Sequence, residues 1–300
     1  MLVDRYETIR RVVEHLCAQT IAEQIELVLV CAVREDFIVP DGAARALARV
    51  TIVQCPPLPM GTARAAGVRA ATAPVIVVGE THAFPASDWA EYLVRAHEEL
   101  WQSVAPGMEN ANPESARSWS GFLMDYGRWL GDLPAGEIAE PPAYNASWKR
   151  EALINDADRK ALVLEPGRPV DAARVAGRAR FHHEPRAKVA HLNVAQPGAW
   201  SAERYWGGYL FGAHRSREWS LPRRLVYLGG SVLVPIIRFV RTLPSFALAR
   251  SKRRLPRGTL VAIAGGSVIW GIGEAIGYIA GDGRAEARML EYEMHKERYA

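Results

Sequence analysis

The stretch APVIVVGETHAFP, residues 73–85, decides the fold expected for this chain. Its first part, residues 75–78, is a β-branched run that is typical of a buried strand. The run ends at three polar residues, Glu80, Thr81 and His82, and helix-start signals follow. Because open α/β sheets place their chemistry at the carboxyl ends of strands, these three residues are the first candidates for a functional site.

Helical and strand-like patterns alternate along the first half of the chain. Three helix-then-strand pairs follow one another: 6–20 with 25–33, 41–50 with 50–56, and 62–72 with 74–80. Such alternation predicts an α/β fold with a mainly parallel sheet and helices on both of its faces.

The start of the chain departs from this pattern, because a helix leads where such a sheet normally has its first strand. Only Met1, Leu2 and Val3 precede Asp4. A strand usually needs about five or six residues. We therefore expect the first strand to be truncated, with the start of the chain assigned too late.

The composition changes twice after the first half. Residues 107–144 are rich in Asn, Pro, Gly, Trp and Ser, which predicts long loops around one helix at 118–130. A helix that stops at Gly177 and two short strands follow. The chain is then expected to divide into a sheet domain, residues 1–200, and a helical, membrane-associated region, residues 201–300.

The second region contains a strongly basic segment. Between His214 and Arg257 there are eleven Lys or Arg residues and one acidic residue, whereas the whole chain carries a net charge of +4. The basic residues alternate with apolar runs, which favours anionic membrane lipid over nucleic acid as the partner. The apolar run before Arg238 is too short to span a bilayer.

Residues 258–281 are long enough to span a bilayer, but glycines interrupt them and Glu274 lies near their end. Gly273 and Gly277 have the small-xxx-small spacing of closely packed helices. The three cysteines of the chain have no metal-ligand spacing and are expected to be reduced.

Four segments together resemble a family 2 glycosyltransferase with the GT-A fold, the fold of nucleotide-diphospho-sugar transferases. They are DRYETIRRVVEHLCAQT (4–20), IELVLV (25–30), ARAAGVRAATAPVIVVGETHAFPASDWAEYL (63–93) and YNASWKRE (144–151). The resemblance covers about residues 3–193 and rests on order and spacing. GEAIGYIAGDG (273–283) is similar to the membrane-associated tails of bacterial members.

The resemblance implies a metal site. Members end this strand with an Asp-x-Asp type motif, which holds a divalent cation on the donor diphosphate. Here the motif position has Glu80 and His82, and a carboxylate with an imidazole leans toward Mn²⁺ rather than Mg²⁺. His191 matches a late histidine that binds metal or phosphate. The alternative is a polar strand terminus without a metal, so metal dependence stays open.

The resemblance also implies donor-side and acceptor-side residues. Arg64 would face the donor diphosphate, or else be a solvated helix charge. Gly67 would let its helix approach the sheet closely. Asn145 and Arg150 match the acceptor-side segment.

Glu165 matches the position of the general base that takes the proton of the acceptor hydroxyl. The alternative is a carboxylate that only stabilises the start of a helix.

Two functions follow from these residues. The first is a glycosyltransferase that moves a sugar, with inversion, from a nucleotide-sugar donor to a lipid-linked or polysaccharide acceptor of the cell envelope. It would act at the cytoplasmic face of a membrane. The alternative is a non-catalytic, membrane-bound scaffold that keeps the fold without the chemistry.

Overall fold

A computed structural model of the chain describes residues 1–34, 37–154 and 168–300. These residues form two compact units. The first, which we call the sheet unit, contains Met1–Glu109 and Trp129–His191. The second, the helical unit, contains Asn110–Arg128 and Leu192–Ala300.

The described residues form twelve α-helices and eight strands, and five of the helices follow one another after the last strand. The helices are α1 (Arg10–Cys17), α2 (Asp41–Ala46), α3 (Met60–Ala70), α4 (Trp89–Ala96), α5 (Ala116–Tyr126), α6 (Arg150–Leu153), α7 (Arg168–Val175), α8 (Pro197–Ser216), α9 (Leu221–Gly230), α10 (Val234–Lys252), α11 (Thr259–Ala280) and α12 (Ala285–His295). The strands are β1 (Glu26–Cys31), β2 (Arg49–Gln54), β3 (Val75–Val77), β4 (Ala83–Pro85), β5 (Ser103–Asn110), β6 (Gly136–Ile138), β7 (Ser147–Lys149) and β8 (Phe181–His191). An α/β fold is therefore confirmed.

The strands belong to two sheets. β1 and β2 pair in parallel, with Leu29 opposite Ile52. On the other side of β1, Leu2 forms a single parallel bridge with Val30. The larger sheet has the order β3-β7-β5-β8-β4, and β6 also pairs with β8.

The predicted mainly parallel sheet is not confirmed, because every register described in the larger sheet is antiparallel. Hydrophobic periodicity reports which residues are buried, but it does not report strand direction.

The larger sheet is curled. Its two ends, β3 and β4, are joined by residues 78–82, which can span at most about 20 Å. Four inter-strand spacings of about 4.8 Å would require nearly that whole length in a flat sheet. The segment that holds Glu80, Thr81 and His82 thus crosses from one edge strand to the other.

Helix α3 packs against β1 where the sequence predicts a close approach. A Cβ on Gly67 would lie 2.9 Å from Cγ2 of Val30, so a larger residue would force the helix away. The core beside this helix is made by residues from α3, β3, β7, α6, α7 and β8: Ala65, Val68, Ala71, Ile76, Trp148, Leu153, Ile154, Val170, Ala173 and Phe181.

Two predictions about the middle of the chain are wrong. Residues expected to be loop belong to β5, and the two short strands expected after Gly177 are one strand of 11 residues, β8. Proline and glycine typically interrupt strands, yet Pro185 and Gly107 lie where β8 and β5 run side by side. A Cβ on Gly107 would be 2.5 Å from the Pro185 carbonyl oxygen, so only glycine permits this approach.

The helical unit is built around a tight contact between α8 and α11. A Cβ on Gly273 or Gly277 would overlap a main-chain oxygen of α8. Likewise, a Cβ on Gly208 or Gly212 would overlap a main-chain oxygen of α11. The small-xxx-small prediction is confirmed as a helix contact, and the partner helix carries the same spacing.

Two helical segments of this unit, Leu221–Lys252 and Thr259–Ala280, are long and apolar enough to cross a membrane by length and composition. The first includes the run that was judged too short, because the helix continues past Arg238. The second begins after Gly258 and ends before Gly281, both with positive φ.

Candidate functional site

The side chains of Glu80, His82 and His191 converge in the sheet unit. One ligand atom from each lies within 4.8 Å of the other two. All three residues are buried, with exposed fractions of 7%, 1% and 2%. We call this group the Glu-His-His cluster.

The pairing of β4 with β8 builds half of this cluster. Ala83 is opposite His191 in the antiparallel register, so His82, one residue earlier, comes beside His191. The two imidazole rings meet edge to face with centroids 4.8 Å apart. Residues 82 and 191 are far apart in sequence, and only the ladder brings them together.

The pairing of β3 with β7 supplies a fourth residue. Val77 is opposite Ser147. The main-chain N–H of Asn145 extends this pairing by donating to the Val78 carbonyl at 3.0 Å. Asn145 has φ 64°, a left-handed conformation that asparagine tolerates better than most residues. Its side-chain amide donates to Oε2 of Glu80 at 2.5 Å.

The carboxylate of Glu80 lies between the two imidazoles. Its oxygens are 3.7 Å from Nε2 of His82 and 3.4 Å from Nε2 of His191. Nδ1 of His82 is 3.3 Å from the Thr81 hydroxyl. If that Nδ1 carries the proton and donates to Thr81, the lone pair of Nε2 faces the carboxylate.

A buried carboxylate requires a compensating charge or hydrogen bonds. Here the compensation comes from the Asn145 amide together with either a protonated imidazole or a cation. Two ligands about 2.1 Å from one ion stand roughly 3.0–3.5 Å apart, close to the N–O distances of 3.7 and 3.4 Å in this group. The residues present therefore fit a divalent cation.

The donor set also bears on which cation fits. Two imidazoles and one carboxylate suit Mn²⁺ or Zn²⁺, whereas Mg²⁺ prefers oxygen ligands throughout. Glu80 and His82 of the motif and the late His191, which the resemblance assigned to metal or phosphate, thus come together in one three-residue arrangement.

Arg64 lies next to this arrangement through Tyr144. Its guanidinium donates to the Tyr144 hydroxyl at 2.9 Å and stacks over that ring, 4.3 Å from the centroid. The residue after Tyr144 is Asn145, which bonds Glu80. Arg64 is half-buried rather than a solvated helix charge.

The described contacts of Arg150 lie elsewhere. Its Nε donates to the Ala71 carbonyl at 3.0 Å, and its main-chain amide donates to Pro74. These bonds attach the end of β7 to the loop before β3. Glu165 lies outside the described residues.

Sequence reasoning missed the role of two residues. It placed Asn145 on the acceptor side, but the structure puts its amide on Glu80. It did not single out Tyr144, which orients Arg64. The available signal was the Tyr-Asn pair itself, because an asparagine just before a short strand is a common site of left-handed backbone.

No family model and no curated protein matches the chain. Among solved structures, one of S. aureus TarS matches with a TM-score of 0.44 and 10% identity. It covers 68% of this chain, and the chain spans only 38% of that structure. A structure of TarS residues 1–349 matches with a TM-score of 0.40, 13% identity and coverage of 91% and 89%. At these scores the likeness carries no argument.

Proposed function

We propose that this chain is a glycosyltransferase that moves a sugar, with inversion, from a nucleotide-diphospho-sugar donor to a lipid-linked or polysaccharide acceptor. The observation that supports this best is the convergence of Glu80, His82, His191 and Asn145 at the end of a curled sheet. Buried polar groups gathered at strand ends are more typical of a binding site than of a stabilised core.

In this proposal Glu80, His82 and His191 hold a divalent cation, Mn²⁺ rather than Mg²⁺. When bound, the cation neutralises the charge that grows on the diphosphate leaving group. Asn145 fixes the rotamer of Glu80 by donating to one of its oxygens. Glu80 then offers its other oxygen from a preorganised position.

Arg64 would bind the donor phosphates. Its guanidinium is stacked on Tyr144 and bonded to its hydroxyl, so few rotamers remain open to it. A guanidinium is the side chain best suited to phosphate oxygens, because its planar fork can donate two parallel hydrogen bonds.

On the acceptor side, Glu165 would act as the general base. Arg150 would support the acceptor segment through its bonds to the loop before β3.

The helical unit would attach the enzyme to the cytoplasmic face of a membrane, with anionic lipid rather than nucleic acid as the partner. Among described residues, fourteen of the twenty exposed large hydrophobic side chains lie between Phe211 and Ile279. The basic segment overlaps this range. Apolar area together with Lys and Arg is the combination that binds an anionic membrane surface.

The rival function is a scaffold in which the cluster is only a buried ion pair. Burial of a histidine–glutamate–histidine group is compatible with both functions, so metal and donor binding must separate them. A structural ion pair needs a proton on an imidazole, whereas a metal site needs neutral imidazoles.

The test is a calorimetric titration of the full chain with Mn²⁺ and Mg²⁺, followed by hydrolysis assays with a panel of UDP-, GDP- and dTDP-sugars. We expect Mn²⁺ binding and Mn²⁺-dependent hydrolysis of one donor, both lost in Glu80→Gln. Glu98→Gln, an exposed carboxylate in the same unit, is the matched control. A folded protein that binds neither metal nor any donor would leave the scaffold as the better account.

A further inference from the structure

The sheet unit has a cavity of about 240 Å³ beside the Glu-His-His cluster. Three aromatic side chains contribute to its wall, those of Trp129, Tyr144 and Trp148. Most of the remaining wall is proline and aliphatic. The volume is below that of pockets for drug-sized ligands, so the cavity suits one small ring.

The aromatic wall is held rigidly. Trp148 is only 3% exposed and packs edge to face on Phe181, with ring centroids 5.8 Å apart. Trp129 donates its indole N–H to the Glu140 carbonyl at 3.0 Å. Both rings are therefore fixed before any ligand arrives, which lowers the entropic cost of binding.

The polar part of the cavity is formed by Glu140, Asp171 and Arg174. Arg174 lies 3.8 Å from the Glu140 carboxylate and 3.6 Å from that of Asp171, and it donates to the Ala139 carbonyl. Two carboxylates with one guanidinium leave a net negative charge. This charge disfavours a phosphate, while carboxylate oxygens accept hydrogen bonds from hydroxyl groups.

Tyr144 connects the cavity to the cluster. The same residue lines the cavity and holds Arg64, and the next residue, Asn145, donates to Glu80. A ligand in the cavity would thus contact Tyr144, whose side chain holds Arg64 and whose neighbour in sequence, Asn145, bonds Glu80.

We propose that this cavity binds one neutral sugar ring of the acceptor. The apolar face of the ring would lie on the aromatic wall, and its hydroxyl edge would donate to Glu140 and Asp171. The identification as acceptor rests on the proposed function. The recognition of a neutral, hydroxyl-bearing ring rests on the cavity itself.

The test is saturation-transfer NMR of the full chain, without metal or donor, using methyl β-glucopyranoside and methyl N-acetyl-β-glucosaminide as probes. Uridine and UDP serve as the comparison ligands. We expect at least one glycoside to bind, and Glu140→Gln with Asp171→Asn to weaken that binding by about tenfold or more, since two charge-assisted hydrogen bonds become weaker neutral ones. Glu137→Gln, an exposed carboxylate on β6 outside the cavity, should bind as the wild type does.

Three results would overturn the proposal: no glycoside binds at high millimolar concentration, the double variant binds as tightly as the wild type, or UDP displaces the glycoside without metal. Donor hydrolysis, measured separately, reports on the proposed function alone. Glycoside binding without donor hydrolysis would keep the cavity and reject the transferase. Donor hydrolysis with no glycoside binding would do the opposite.

Discussion

The sheet unit and the helical unit differ in the charged groups that they bury and in the apolar side chains that they leave exposed. The sheet unit has an apolar core and gathers its buried polar groups at one sheet end. The helical unit buries ion pairs, such as Arg204 with Glu203 at 3.0 Å and Lys296 with Glu203 at 3.3 Å. It leaves large apolar side chains outside.

Buried polar groups therefore have a different meaning in each of the two units. Charges inside and hydrocarbon outside are expected where the outer surface meets lipid, because exposed apolar area in water is unfavourable. Polar groups concentrated at one point of an otherwise apolar core indicate a site.

The first prediction concerns the site. Glu80→Ala should lower donor turnover by about 10²–10³-fold, because a preorganised electrostatic group is removed from the transition state. Steady-state hydrolysis of the preferred donor measures the change. Circular dichroism and a thermal melt of the same variant show whether the fold persists.

Turnover of Glu80→Ala within twofold of the wild type would remove Glu80 from the site. The Glu-His-His cluster would then be a structural feature. Buried polar groups in the sheet unit would no longer indicate a functional site.

The second prediction concerns the packing of the helical unit. Gly277→Ala places a methyl group against a main-chain oxygen of α8 and should cost about 1–3 kcal/mol. Gly265→Ala, in the same helix α11, meets nothing within 4 Å and should be neutral or slightly stabilising. Hydrogen exchange of peptides from α8 and α11, measured on the full chain, compares the two variants.

Equal exchange in both alanine variants would show that the α8–α11 contact is not tight. The ion pairs would then have to account for the cohesion of the unit, which buried pairs do poorly.

Local patterns predicted the elements better than they predicted their pairing. The β-branched run of β3 and the helix α3 follow from period and propensity. The contact at Gly277 could be predicted because close helix packing demands a missing side chain at a fixed spacing, whereas the close approach at Gly67 was expected only from the family resemblance.

The long-range contacts could not be predicted from local sequence patterns. His191 approaches Glu80 only because β4 pairs with β8, and nothing in either segment specifies that register. Pro185 and Gly107 indicate breaks by themselves, but together they form a close inter-strand contact. The resemblance to a family placed His191 and Asn145 near the site where local chemistry could not.

The third prediction tests whether the sheet unit keeps a buried histidine neutral. Burial, with a smaller effect from Lys149, lowers the pKa of His97 from its ordinary 6.5 to about 4. Between these values the unfolded chain binds a proton that the folded chain does not, so the free energy of unfolding falls as pH falls. The slope from this residue approaches about 1.4 kcal/mol per pH unit.

Urea unfolding of the full chain between pH 7.5 and pH 4.5 measures this slope. His97→Gln can keep a donor toward the Ser147 hydroxyl, 2.8 Å away in the wild type, and should flatten the slope in that window. An unchanged slope would mean that His97 titrates normally and that the unit tolerates a buried charge as the helical unit does.

The last prediction separates charge from apolar area in the attachment of the helical unit. Arg223 and Arg224 lie in the first turn of α9, which holds no acidic residue, and should each contribute about 1 kcal/mol to binding anionic vesicles. Val232 and Ile236, which are 73% and 60% exposed, should contribute through buried apolar area instead. Sedimentation with phosphatidylglycerol-containing vesicles, at low and high salt, measures both contributions.

Replacing both arginines by glutamine should weaken binding at low salt only, because salt screens the charge. Replacing Val232 and Ile236 by serine should weaken binding at both salt concentrations. Val175→Ser, at a site in the sheet unit that is 91% exposed, is the matched control and should change neither value. If this control weakened binding as much as the serine pair does, exposed apolar area in the two units would be equivalent. The exposed apolar side chains of the helical unit would then need an explanation other than contact with lipid.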